Sequence, residues 1–143
     1  HKIAYGEKLY NKLRHITNKK VYYVDGSVNV DIREEFKKRM EKNNDVIIVA
    51  SYGTFSTGIS IKNIHNIFFT ESFKSEVIIR QSIGRGLRKH ASKDQVKIYD
   101  FIDDFRYKAE DHDWVNYIYR HGIARRQIYK EEKFPFEVQN IRF

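Results

Sequence analysis

The chain has 143 residues, of which 41% are hydrophobic, and this is enough for one folded domain with a core of its own. Cysteine is absent, which excludes disulfides and thiolate metal sites, and no apolar run approaches the roughly 20 residues of a membrane span. The net charge of +8 favours a polyanionic partner, nucleic acid first, although charge alone does not separate DNA from RNA.

The first fifty residues alternate helical and extended patterns. An apolar stripe predicts a helix over residues 5–16, and residues 21–24 are a β-rich run that ends at a turn. A second helix is predicted over residues 29–42, with Asp31 and Glu34 as its capping signal. Residues 45–50 are apolar without alternation, which is typical of a parallel strand buried on both faces.

The same alternation continues to about residue 104. A loop of small and polar residues follows residue 50, a strand is predicted over residues 66–70, and Ser75 caps the next helix. A further strand is predicted over residues 96–102. Strands that alternate with helices over short connections predict an α/β layered domain with a mostly parallel sheet.

The tail is predicted as one helix over residues 111–133, ended by Pro135 and followed by a strand or a surface strap. Its buried side is expected to hold the apolar residues Trp114, Ile118, Ala124 and Ile128. Its exposed side is expected to hold the arginines Arg120, Arg125 and Arg126.

The helix after Ser75 has two chemically different faces. Ile79, Ile83 and Leu87 fall on one side of the helical wheel, which predicts a packed face. The opposite side holds two guanidinium groups, an amide and a bare backbone position, from Arg85, Arg88, Gln81 and Gly84. Two arginines aimed at one spot suit a polyphosphate, and the glycine leaves room for a bulky group. The alternative is a solvated basic face on a surface helix.

The loop after residue 50 is the second candidate for chemistry. Its small and hydroxyl residues are Ser51, Gly53, Thr57, Gly58 and Ser60. In parallel α/β sheets ligands bind at the carboxyl ends of the strands, where such residues offer N–H and O–H donors to phosphates. The alternative is a tight turn that simply needs small residues.

Together the two segments resemble motifs V and VI of superfamily-two helicases. The loop contributes Val49-Ala50-Ser51 and Gly58-Ile59-Ser60, and the helix contributes Gln81-x-x-Gly84-Arg85-x-x-Arg88. The resemblance covers roughly residues 5–104 and implies a RecA-like, P-loop-type three-layer lobe over residues 1–104, with its first strand missing or truncated. Residues 105–143 are then a C-terminal extension of helix and strap.

The resemblance also implies a role for each site residue. Arg85 and Arg88 would act as arginine fingers on ATP, and Gln81 would sense the γ-phosphate or its water. Further nucleotide contacts are expected from Gly58, Ser60 and Gly84, and contacts to the nucleic-acid backbone from Ser51, Gly53 and Thr57. Ser60 departs from the pattern, because many members of the family carry Asp or Asn at that position.

The sequence contains neither GxxxxGK[ST] nor a DExx-type acidic motif. ATP and Mg²⁺ are therefore expected to be held mainly by an N-terminal RecA-like lobe of the same parent chain, and the chain alone is expected not to hydrolyse ATP. The pair Asp103 and Asp104 could be read as metal ligands but is expected instead to end a strand or to cap the next segment. The histidines show no metal spacing, so no metal site is predicted.

For the parent protein the resemblance implies an ATP-dependent DNA helicase or translocase that remodels branched DNA or R-loops in recombination, repair or replication. RNA or an RNA–DNA hybrid is an alternative substrate. A stand-alone nucleic-acid-binding RecA-like module and a duplex translocase of a restriction-type system are the alternative functions. The expected location is the cytoplasm, that of the host if the protein belongs to a phage.

Overall fold

The computed structural model describes residues 2–27, 29–55, 60–109, 112–114 and 116–141. The regular helices of this part of the chain are α1 (Lys2–Ile16), α2 (Val30–Glu41), α3 (Glu76–Gly86) and α4 (Tyr117–Glu131). Its strands are β1 (Lys20–Val24), β2 (Val46–Ala50), β3 (Asn66–Phe69), β4 (Lys97–Asp100), β5 (Tyr107–Ala109) and β6 (His112–Trp114). None of the helices described is long and apolar enough to cross a bilayer.

The strands pair two by two within the described residues. β1 and β2 are parallel, and β5 and β6 are antiparallel. β3 pairs with β4. Lys97 N donates to His65 O and Phe101 N donates to Phe69 O, so the residue numbers rise in the same direction in both strands, as in a parallel pair. Helices that alternate with parallel strand pairs confirm the predicted α/β class.

The chain divides into two compact units, one of residues 1–67 and 80–97 and the other of residues 68–79 and 98–143. In the first unit the core contains Val24, Met40 and Ile61, all at most 3% exposed, with Phe36 packed against them. The cap of α2 is Asn29, whose side chain accepts a hydrogen bond from the backbone N–H of Asp31, so the predicted cap of Asp31 and Glu34 was wrong.

In the second unit the predicted helix over residues 111–133 begins only at Tyr117, because residues 112–114 form β6 and Asn116 caps α4. Trp114 therefore lies in a strand. Two expectations about the faces of this helix were also wrong, since Ala124 is exposed and Arg125 is fully buried. The described residues after α4 form no strand, and the ring of Phe136 lies 5.9 Å from that of Tyr129.

Candidate functional site

The packed face of α3 is formed as predicted by its isoleucines. Ile79 and Ile83 are 0% and 2% exposed. The third expected member, Leu87, is 55% exposed, because α3 ends at Gly86 and Leu87 lies in the turn that follows. Two of the three apolar positions are therefore buried, and their burial determines which face of α3 is turned outward.

The opposite face of α3 and the turn after it present the predicted polar group. Gln81 and Gly84 are exposed, and Arg85 and Arg88 are half-buried. Partial burial, and after it the charge of Arg88, lower the pKa of Arg85. The effect of the Arg88 charge on Arg85 means that the two guanidinium groups repel each other. Since arginine stays protonated in proteins, an anion bound beside both groups would relieve this repulsion.

Ser60 contacts the second of these arginines. Nη1 of Arg88 donates a hydrogen bond to Oγ of Ser60, so the structure brings together the ends of the two segments that resemble motifs V and VI. A hydroxyl oxygen is neutral and orients the guanidinium group without cancelling its charge, whereas a carboxylate at this position would form an ion pair with it. The serine therefore leaves Arg88 with a positive charge to offer an anion.

Ser51 begins a short helical turn over residues 52–55. Its Oγ lies 2.8 Å from Oγ1 of Thr54 and also accepts from the backbone N–H of Thr54 at 3.3 Å. Ser51 thus has a local capping role in this structure, and its contact with nucleic acid stays a prediction. Thr54 is 6% exposed and was not singled out in the sequence, although the Ser-x-x-Thr spacing was a signal for this cap.

Gly53 is exposed, and a Cβ built there would meet nothing within 4 Å. Packing therefore does not require a glycine at this position, and an approach of nucleic-acid backbone would provide a reason for it. Thr57 and Gly58, predicted to bind nucleic acid and nucleotide, lie outside the described residues.

The segment after α3 is anchored by contacts that sequence reasoning missed. Nζ of Lys93 donates to the backbone oxygens of Ile64, at 2.8 Å, and of Gly86. Burial lowers the pKa of Lys93. Nε2 of His90 lies 3.5 Å from Oε2 of Glu41, which holds the imidazole against the end of α2. A cavity of about 320 Å³ opens here between Gly86 and Val96.

The positive charge of the chain lies in the unit that contains these residues. Residues 1–67 and 80–97 hold 18 of the 27 Lys and Arg residues but only 8 of the 19 Asp and Glu residues. The other unit holds more acidic than basic residues. A polyanion is therefore attracted to the unit that carries Arg85 and Arg88.

Two glycines of α3 are expected to respond in opposite ways to substitution. In Gly86→Ala the new Cβ would meet Cδ1 of Ile67 at 2.8 Å and Cγ2 of Val96 at 3.1 Å, whereas at Gly84 it would meet nothing within 4 Å. We expect Gly86→Ala to lower the free energy of unfolding by about 1–3 kcal/mol. Gly84→Ala should raise it by up to about 1 kcal/mol. Urea unfolding measures both, and equal effects would contradict the tight packing of Gly86.

Comparisons with known proteins found a matching family and related sequences. The family described as "Helicase conserved C-terminal domain" matches residues 2–90. The ATP-dependent DNA helicase uvsW of Enterobacteria phage T4 is 38% identical over 145 residues, which is 97% of this chain and 29% of that protein. IRC3 of Saccharomyces cerevisiae, provisionally named an ATP-dependent helicase, is 32% identical over 62% of this chain and 14% of its own length. The chain thus spans less than a third of these relatives.

Two solved structures are similar to this chain. The crystal structure of T4 UvsW matches with a TM-score of 0.71 and 40% identity, over 91% of this chain and 27% of that one. The C-terminal part of the Fun30 ATPase domain matches with a TM-score of 0.60 over 87% of this chain and 44% of that one. At 18% identity this second likeness concerns the fold alone.

Proposed function

The chain belongs to the helicase conserved C-terminal domain family, and we propose that it works as the second motor lobe of an ATP-dependent DNA helicase or translocase. Its fold is that of the RecA-like C-terminal lobe of superfamily-two helicases. The observation that carries the proposal is the pair Arg85 and Arg88, close together and half-buried, with Ser60 bonded to Arg88.

The residues of this site fit a phosphate group and do not fit its metal ion. Arg85 and Arg88 supply two adjacent positive charges, and Gly84 leaves open space beside them. Neither residues 51–60 nor residues 81–88 include a carboxylate that could bind Mg²⁺. Mg²⁺ and most contacts to ATP would therefore belong to an N-terminal RecA-like lobe of the parent chain.

In this arrangement Arg85 and Arg88 stabilise the negative charge that develops on the γ-phosphoryl group as it is transferred, and an arginine in this role contributes about 10³–10⁵ in rate. Ser60 orients Arg88, Gln81 senses the γ-phosphate or its water, and Gly58 adds a nucleotide contact. Lobes that close on ATP and open after hydrolysis would move the protein along its strand.

Nucleic acid would be bound by the loop after β2. Ser51, Gly53 and Thr57 are the proposed contacts to the backbone, and the surplus of basic residues in their unit supports them. We propose that the lobe covers residues 1–104 and its extension residues 105–143. The proposed substrate is branched DNA or an R-loop in recombination, repair or replication, in the cytoplasm of the cell or of a phage host.

ATP turnover tests this proposal directly. The full-length protein is expected to hydrolyse ATP with stimulation by DNA, and residues 1–143 alone are expected to show no turnover above background. A phosphate-release assay with and without single-stranded and branched DNA measures both. Turnover by residues 1–143 alone, or none by the full-length protein with any DNA, would contradict it.

A module that binds nucleic acid without acting as a motor is the second candidate, and the basic first unit favours it. Binding of DNA that is unchanged by ATP, without any turnover, would support this candidate. A strand-displacement assay beside a triplex-displacement assay then separates an unwinding helicase from a translocase that moves along duplex.

A further inference from the structure

Arg125 of α4 is a large side chain that is 0% exposed, in the second unit of the chain. Its guanidinium group forms a fork onto one carboxylate, because Nε lies 2.9 Å from Oδ2 of Asp100 and Nη2 lies 2.7 Å from Oδ1. The hydroxyl of Tyr129 donates to the same Oδ2 at 2.8 Å. Burial, and then the charge of Asp100, raise the pKa of Tyr129, so its hydroxyl remains a donor at ordinary pH.

The same guanidinium group also holds the segment that leads into α3. Nη1 of Arg125 donates to the backbone oxygen of Phe73 at 2.8 Å, and the guanidinium carbon lies 5.3 Å from the centre of the Phe73 ring. That ring is 7% exposed and packs edge-on against Phe69. α3 begins shortly afterwards, at Glu76. One side chain of α4 therefore ties the end of β4 to the point from which α3 starts.

Stability alone is a poor reason for this geometry. A buried ion pair is often no more stabilising than apolar residues of the same volume, because both charges must leave water. What an arginine adds is direction, since its planar fork fixes the carboxylate and the backbone oxygen of Phe73 at the same time. The contact is suited to setting the course of the chain between β3 and α3.

We propose that Arg125 is a positioning residue for ATP hydrolysis, which fixes Phe73 and thereby sets the direction in which α3 carries Arg85 and Arg88. The inference rests on the proposed function of that arginine pair. It gives α4, which lies beyond the residues 2–90 matched by the family, a part in the motor.

Arg125→Lys in the full-length protein is the first test. Lysine keeps the charge and can bond Asp100, but one ammonium group cannot form the fork and also hold Phe73. We expect kcat for DNA-stimulated ATP turnover to fall about 10- to 100-fold, the cost of a displacement near 1 Å at a reacting group. KM for ATP should stay within about twofold, because the arginines act in the transition state. Hydrogen exchange should quicken in the first bonded turn of α3, beginning at the amide of Ile79, which donates to the backbone oxygen of Ser75.

Two further comparisons separate positioning from simple stabilisation. Tyr129→Phe removes one bond to Asp100 and leaves the contact with Phe73 intact, so it should lower the unfolding temperature and keep kcat. Lys74→Gly loosens the chain between Phe73 and α3 at an exposed position, without touching Arg125. It should lower kcat severalfold, whereas the matched Lys74→Ala should not.

The outcomes are distinct. A fall in kcat with Arg125→Lys and Lys74→Gly but not with Tyr129→Phe supports the positioning role. Normal kcat in Arg125→Lys, or losses that follow the unfolding temperature in all variants, would overturn it. If Arg125→Lys does not fold, the contrast between Lys74→Gly and Lys74→Ala decides. Normal turnover in both Arg85→Ala and Arg88→Ala would instead mean that the proposed role of the arginine pair is wrong.

Discussion

Arg85→Ala in the full-length protein is expected to lower DNA-stimulated ATP turnover by about 10³–10⁵-fold, the range that arginine fingers contribute. The reason is that Arg85 is partly buried and feels the charge of Arg88, so its positive charge acts on a developing negative charge with less screening by water than at the open surface. Phosphate release at saturating ATP and DNA measures kcat, and the unfolding temperature measured beside it shows that the variant is folded under the assay conditions. DNA binding without nucleotide should also be retained.

The matched control is Arg80→Ala, which removes the same charge from the same helix about 140° around its axis. It should leave turnover within a few-fold of the unmodified protein. Arg85→Lys should recover little, because an ammonium group does not reproduce two parallel hydrogen bonds to a phosphate. Unchanged turnover in both Arg85→Ala and Arg88→Ala would remove the proposed role of the pair.

The sequence predicted the fold well where local signals agree with packing. The periodicity of α1 and α2 and the apolar run of β2 gave elements within a few residues of those observed. The prediction for the tail was wrong at its start, because Trp114 continues the apolar spacing of α4 in the sequence, yet residues 112–114 pair with β5. Pairing between strands is a tertiary event, and it overrides helix propensity over so short a segment.

Arg125 shows more clearly what could not be predicted from the sequence. Its charge and its place on a helix both indicated exposure, and arginine is almost never fully buried unless it is paired. The pair is with Asp100, 25 residues earlier, and no pattern within α4 reports that contact. By contrast, the predicted face of Gln81, Gly84 and Arg85 depends only on helical geometry, and Arg88 adds its charge from the turn that follows α3.

Within the predicted site, the contact between Arg88 and Ser60 was the part that spacing could not give. The two residues were assigned to different motifs, and their meeting depends on how the chain folds between them. The departure from the Asp or Asn of the family was visible in the sequence, but its consequence was not. The structure shows a neutral oxygen beside the guanidinium group, which leaves its charge for the ligand.

Asp100→Asn is expected to lower the free energy of unfolding by about 3–5 kcal/mol, the largest stability loss predicted for this chain, because it leaves the charge of Arg125 buried without its partner. Urea unfolding of the full-length protein measures this loss in the transition in which this lobe unfolds. The control is Asp104→Asn, since Asp104 forms an exposed pair with Arg106 and should leave the transition unchanged.

A double substitution tests whether the unpaired buried charge of Arg125 causes this loss of stability. Asp100→Leu together with Arg125→Met removes both charges and keeps an apolar side chain at each position, so most of the lost stability should return. ATP turnover should not return with it, because methionine cannot hold the backbone oxygen of Phe73. Stability that recovers without activity would show that holding the fold and directing α3 are separate tasks of Arg125. Recovery of both would mean that packing around α4 is all that the motor requires.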